Sequence, residues 1–166
     1  MREGGSYHRS SMFALSSISS VIVAALLGVT RPEIKAEPKR DLDPSLSTRL
    51  SRIESAFRQC DANALRLSFP ASGKVRVDLD DLTDGQGSYG PGQLQVIFGQ
   101  IFEDYPTREF VFEREEVRVS QPGTAFARGR WIRRHLNGGH ESADNLTFTL
   151  RQEGGDWRIQ EIRSTR

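Results

Sequence analysis

From Leu94 to Tyr105 the apolar positions Leu94, Ile97, Phe98, Ile101, Phe102 and Tyr105 recur at i, i+3, i+4, i+7, i+8 and i+11. That series lays one apolar stripe along a helix running from Pro91 to Tyr105. Downstream the period becomes two. Phe110 and Phe112 face one way, and Val117 and Val119 continue after a phase change at Glu115-Glu116 that a bulge explains. The segment 124–136 places Phe126, Arg128, Arg130, Ile132, Arg134 and Leu136 on one face and Ala125, Ala127, Gly129, Trp131, Arg133 and His135 on the other. Leu146, Phe148 and Leu150 alternate with Asn145, Thr147, Thr149 and Arg151, and a last strand spans 157–164. Asn137-Gly138-Gly139 and Glu153-Gly154-Gly155-Asp156 supply tight turns, so the three long segments read as antiparallel strands.

Upstream, Leu46, Leu50, Ile53, Ala56 and Phe57 keep a helical period behind Ser45 or Ser47 as N-cap. Asp61-Ala62-Asn63 breaks that helix, a short turn follows over 64–69, and Pro70 and Gly73 stop it. In 74–79, Val75, Val77 and Leu79 alternate with Arg76 and Asp78, the pattern of a half-buried strand, and an acidic, glycine-rich loop over 80–92 leads into the central helix. The expected fold class is α+β: a curved antiparallel sheet with the N-terminal helices packed on its concave face as a cone, behind an N-terminal signal or anchor segment.

That leader is read from charge. Arg2, His8 and Arg9 precede the run 11–29, which carries no charge and whose densest part is VIVAALLGV, the length of a signal-peptide core. Ser16, Ser17, Ser19 and Ser20 make it a poor lipid-facing helix, and no A-x-A cleavage site is evident, so cleaved peptide and uncleaved anchor both stay open. Arg31, Lys35, Lys39 and Arg40 on its far side favour cleavage, because they oppose the positive-inside bias of an exported anchor. Residues 1–30 are thus expected to be a signal peptide or membrane anchor, 31–44 with Pro32, Pro38 and Pro44 a linker, and 45–166 one domain. The expected location is the periplasm or cell envelope, with membrane contact only through the leader.

A net charge of +1 gives no argument for a nucleic-acid partner. Of the 23 basic residues all but Lys35, Lys39 and Lys74 are arginine, a bias more typical of a GC-rich genome than of a function. The single Cys60 excludes an intramolecular disulfide and a multi-cysteine metal cluster.

The chemistry is sparse. Gly85-Gln86-Gly87-Ser88-Tyr89-Gly90 spells G-x-G-x-x-G between a strand and a helix, yet Pro91 and Gly92 intrude and antiparallel hairpins follow, so the parallel context of a dinucleotide site is missing and no cofactor is expected. Asp78, Asp80, Asp81 and Asp84 suggest a calcium loop whose spacing fails, with Leu82 third and Pro91 twelfth from Asp80, and no metal site is expected. Arg128, Arg130 and Arg134 share a face with Phe126, Ile132 and Leu136. Lining the concave side, paired guanidiniums over an apolar floor suit a small anionic ligand; solvated, they pair with Glu113, Glu115 or Glu161. Trp131 and Trp157 read as core or dimer-interface residues.

The order of elements, carried by LSRIESAFRQCDANALRLSF, GSYGPGQLQVIFGQIFEDYP and LTFTLRQEGGDWRIQEIRS, resembles the nuclear transport factor 2-like, or cystatin-like, superfamily over 45–166, and most of all small exported bacterial domains of unknown function within it. The resemblance implies a sheet-to-sheet homodimer, and it implies that any acid-base chemistry would lie inside the cone. Asp78, Tyr89, Tyr105, Trp131, His135 and Asn145 are available for that and form no convincing set. The expected function is a non-catalytic small-molecule-binding or dimerisation module, with an isomerase- or dehydratase-type enzyme acting on an apolar substrate as the alternative. Arg128, Arg130, Tyr89, Tyr105 and Trp131 are the candidate ligand contacts, and no catalytic residue is assigned.

Overall fold

A computed structural model describes residues 42–83, 85–136 and 138–165. The expected leader, and the linker up to residue 41, lie outside the described residues. Within them, no helix is long and apolar enough to cross a membrane.

The first helix, α1 (Pro44–Arg58), is capped by Asp43, not by Ser45 or Ser47. Pro44 at its first position has no N–H to satisfy, and the Asp43 carboxylate accepts from the Ser45 N–H at 2.8 Å, so both serines lie inside the helix. Leu46, Leu50, Ile53 and Phe57 bury the stripe. At its end the Asp61 N–H reaches the Ala56 carbonyl (2.9 Å) and the Cys60 N–H the Phe57 carbonyl (3.1 Å), a Schellman pattern that puts Cys60 at φ 53° where glycine is usual. Asp61 then caps the short α2 (Ala62–Arg66) through the Ala64 N–H.

Next comes β1 (Val75–Asp78), then a single 3-10 turn, Asp80–Leu82. The expected loop that follows contains a strand, β2 (Gly87–Tyr89), hydrogen-bonded antiparallel to β1. Its three residues are too few to show an alternation among glycines and aspartates. The central helix α3 (Pro91–Asp104) buries Leu94, Phe98, Ile101 and Phe102, and leads into β3 (Thr107–Phe112). The phase change at Glu115-Glu116 is a 3-10 turn, Arg114–Glu116, after which β4 (Arg118–Gln121) resumes on the same neighbour. β5 (Thr124–Arg134), β6 (Glu141–Glu153) and β7 (Asp156–Thr165) form the long meander. Gly154 (φ 58°) and Gly155 (φ 87°) make the two-residue turn between β6 and β7, both in the left-handed region that such a turn needs.

The sheet order is β2-β1-β7-β6-β5-β3, with β4 also on β5. It is mixed, not wholly antiparallel: β1 lies parallel to β7, with Val77 opposite Ile162. Tight turns fix direction only between strands adjacent in sequence, and most of the domain separates β1 from β7. One face of the sheet carries Ala127, Trp131, Phe148 and Ile162 into a single core with the helices. At its centre the Phe57 ring stacks on Phe110 (4.2 Å between centroids) and meets Phe98, Phe102, Trp131 and Phe148 edge-on. Such rings interlock at close-packed density.

Candidate functional site

The five candidate contacts fall in three separate places. Trp131 belongs to the core: it is 0% exposed, and its indole N–H donates to the Thr107 hydroxyl at 2.9 Å. Arg128 and Arg130 point the other way, because successive residues of β5 alternate and the helices take the face of Ala125, Ala127 and Trp131. The arginine face is therefore not a floor beneath the helices but the other side of the sheet, which no element among the described residues covers. Buried neighbours on both sides of Trp131 fix that phase, and a one-residue slip would bring the arginines into the core.

On the uncovered face Arg128 pairs with Glu116 (3.3 Å), a neighbour across the β5 edge that sequence spacing had not singled out. Arg76 pairs with Glu161 (3.8 Å). Arg130, opposite Asn145 on β6 and Val111 on β3, makes no ion pair or side-chain hydrogen bond among the described residues. Phe126 and Val111 stand exposed beside these charges. Arg163, opposite Thr147 and beside Asp78, extends the basic set and had no signal of its own in the last strand.

Inside, the polar groups are spoken for. Glu54 on α1 accepts from the Phe112 N–H (2.7 Å) and pairs through its other oxygen with Arg114 (2.7 Å). Arg133 pairs with Asp144 at 2.7 Å and lies over the Tyr105 ring, 4.9 Å from its centroid. Arg49 donates to the Leu67 carbonyl and lies 3.6 Å from Asp156; burial, then Arg158 nearby, pull its pKa below the usual arginine value. No buried side-chain nitrogen or oxygen lacks a partner among the described residues.

Tyr89 and Tyr105 do come together. They line a crevice of about 370 Å³ between the 3-10 turn after β1 and the last two turns of α3, with Asp81, Ile97, Gln100 and Asp104. The helix spacing 97, 100, 101, 104 puts these α3 residues on one flank. The Tyr89 ring folds back over Gly87, where any side chain would collide with it. Tyr105 is met edge-on by His135 (4.3 Å), which itself stacks on His140 (4.5 Å). Burial first, then the neighbouring His140 and Arg133, hold the His135 pKa below the ordinary histidine value. The remaining acid-base candidates are apart: Asp78 and Asn145 sit on the uncovered face, in β1 and β6. The described residues contain no cluster of three or more His, Cys, Asp or Glu able to hold a metal ion.

Neither a protein-family model nor a curated protein matches the chain. Solved structures do match in shape. An NTF-2 like protein of unknown function from Shewanella oneidensis superposes with a TM-score of 0.57 at 15% identity, covering 74% of this chain and 97% of its own. A ketosteroid isomerase-like protein from Erwinia carotovora atroseptica gives 0.56 at 16% identity, covering 72% and 92%. A DUF4783 family protein from Bacteroides ovatus gives 0.54 at 13% identity, covering 69% and 91%. At such identities the likeness is one of fold.

Proposed function

From the premise that this chain has the nuclear transport factor 2-like fold, we propose that it is a non-catalytic interaction domain that pairs with a second copy of itself through the uncovered face of the sheet. The observation that carries this reading is the contrast between the two faces. The helix side is filled by interlocked aromatic rings around Phe57, whereas the other side presents exposed Phe126 and Val111 among charges of both signs. A face holding Arg128, Arg130 and Arg163 together with Asp78, Glu116 and Glu161 is self-complementary: a two-fold axis brings one copy's arginines against the other's carboxylates. Arg130, without an ion pair of its own, supplies the polar anchor, and Phe126 the apolar one.

The isomerase- or dehydratase-type alternative needs an acid-base pair in a dry interior. Here the rings around Phe57 occupy that interior, and the buried Glu54 is held by a backbone N–H and Arg114. The same proposal places the domain outside the cytoplasm, supported by the uncharged run 11–29.

Sedimentation velocity on the purified chain at micromolar concentration is expected to give a dimer. Phe126→Glu combined with Arg130→Glu is expected to give a monomer with an unchanged far-UV circular dichroism spectrum, since both side chains are exposed, and a melting temperature that no longer rises with protein concentration. A wild-type chain that stays monomeric throughout the concentration range overturns the reading.

A further inference from the structure

We propose that the crevice formed by Tyr89, Tyr105, Asp81, Asp104, Ile97 and Gln100 binds a small organic ammonium ion, an amine carried on an apolar body. It is separate from the sheet face assigned to self-association, and its occupant is identified by charge, by wall chemistry and by size.

The charge comes from how this chain distributes its basic residues. Although 23 of 166 residues are Lys or Arg, the stretch 77–107 contains none, nor any histidine. The same stretch carries Asp78, Asp80, Asp81, Asp84, Glu103 and Asp104. Two of these, Asp81 and Asp104, stand on opposite sides of the crevice, one in the 3-10 turn and one in the last turn of α3. Neither carboxylate has an ion pair or side-chain hydrogen bond among the described residues. The crevice also lies against the C-terminal end of α3, the negative pole of the helix dipole. Carboxylates and helix terminus act in one direction, and Arg133, which lies over the Tyr105 ring, is balanced by Asp144 at 2.7 Å: the potential in the crevice is negative and draws a cation in.

The walls say which kind of cation. A hydrated metal ion needs several oxygen ligands converging on one point, and a pair of carboxylates on opposite walls does not supply them. Tyr89 and Tyr105 instead offer aromatic surface, which attracts an ammonium through the ring quadrupole. Tyr105 already holds one cation in this way, the Arg133 guanidinium, whose charge Asp144 balances at 2.7 Å. Leu82, Ile97 and Ile101 provide an apolar bed for the rest of the ligand, and Gln100 a neutral hydrogen-bonding group. A volume of about 370 Å³ is at the small end of ligand sites, enough for one ring with a short amino chain.

The probe is phenethylamine, titrated into the full-length chain and followed by two-dimensional amide NMR, with 2-phenylethanol and 3-phenylpropanoate as neutral and anionic analogues of similar size. The amine is expected to shift amides in 79–89 and 97–105, and to bind about tenfold more tightly than the alcohol, with the acid weaker still, from one ammonium meeting two partly exposed carboxylates and two rings. Asp81→Asn with Asp104→Asn, which keeps the shape of exposed groups, is expected to weaken the amine about tenfold without weakening the alcohol. Equal affinity for amine and alcohol, shifts confined to other regions, insensitivity to the double variant, or no shift at millimolar amine each overturns the proposal. The same titration on Phe126→Glu/Arg130→Glu separates it from self-association, because that variant changes the opposite face and leaves the crevice intact.

Discussion

Gly129 shows how far single side chains are constrained. It lies in β5 on the core face, and a β-carbon there would stand 2.7 Å from the tip of the Phe110 ring. That ring is itself stacked on Phe57 at 4.2 Å, so it has nowhere to yield. Gly129→Ala is therefore expected to destabilise the domain by about 2 kcal/mol, the usual cost of overpacking a filled core. Gly99 is the control: it sits within α3 with open space around its missing β-carbon, and Gly99→Ala is expected to stabilise by about 0.5–1 kcal/mol. Thermal melts of the two variants should move in opposite directions, and equal shifts would contradict this packing. His135 is constrained electrically. Burial, the stacked His140 and Arg133 all disfavour its charged form, so its folded pKa lies below the ordinary 6.5. A depressed pKa contributes stability that is present above the unfolded value and lost as pH falls through the folded one. Titration of the His135 ring by NMR should give a midpoint below 6.5, and His140→Gln should move it upward by removing one of those causes. A midpoint above the ordinary value would mean that the stacked pair holds a proton in common.

At the scale of elements, what could be read in advance is what is local. The stripe of α3, the alternation of β5 and the Gly154-Gly155 turn each depend on residues close in sequence, and all three appear in place. Misreadings arise where distant partners decide. The direction of β1 is set by β7, and β2 exists because β1 offers it an edge. The face of β5 that turns toward the helices is chosen by Trp131, Ala127 and Ala125, all buried in the core, with Trp131 meeting Phe57 edge-on. An arginine face and an alanine-tryptophan face are equally periodic, and only the volume available beneath the helices separates them. Tyr89 and Tyr105 were legible as candidates, but the crevice joining them was not. Asp104 and Gln100 lie on a flank of α3 beside its core stripe, and their significance comes from the 3-10 turn packed opposite. The edge of β3 is similar: Glu54 on α1 accepts from the Phe112 N–H and Cys60, in the turn after α1, from the Thr107 N–H, and so they cover groups that an open edge would present to another chain.

For the whole molecule, the consequential feature is the position of the last strand. β7 lies between β1 and β6 in the sheet, and its Trp157 donates to the Ser45 hydroxyl on α1 at 3.1 Å. The chain's final element therefore holds together its first helix, its first strand and the meander. Neither the helical front nor the C-terminal hairpins can bury their apolar faces alone, because one core runs from Leu46 on α1 to Ile162 on β7. Such an arrangement should unfold in one step. The two tryptophans make this directly measurable: Trp131 sits among the rings of α1 and α3, and Trp157 at the junction of α1 with β7. During denaturant unfolding, fluorescence from Trp131→Phe and from Trp157→Phe chains should each follow the same normalised curve as that variant's own backbone circular dichroism. A Trp157 signal that departs before the dichroism changes would show β7 peeling away as a separate unit, and the single core inferred from its central position would have to be divided. Coincident curves would leave the last strand as the element on which the rest of the fold closes.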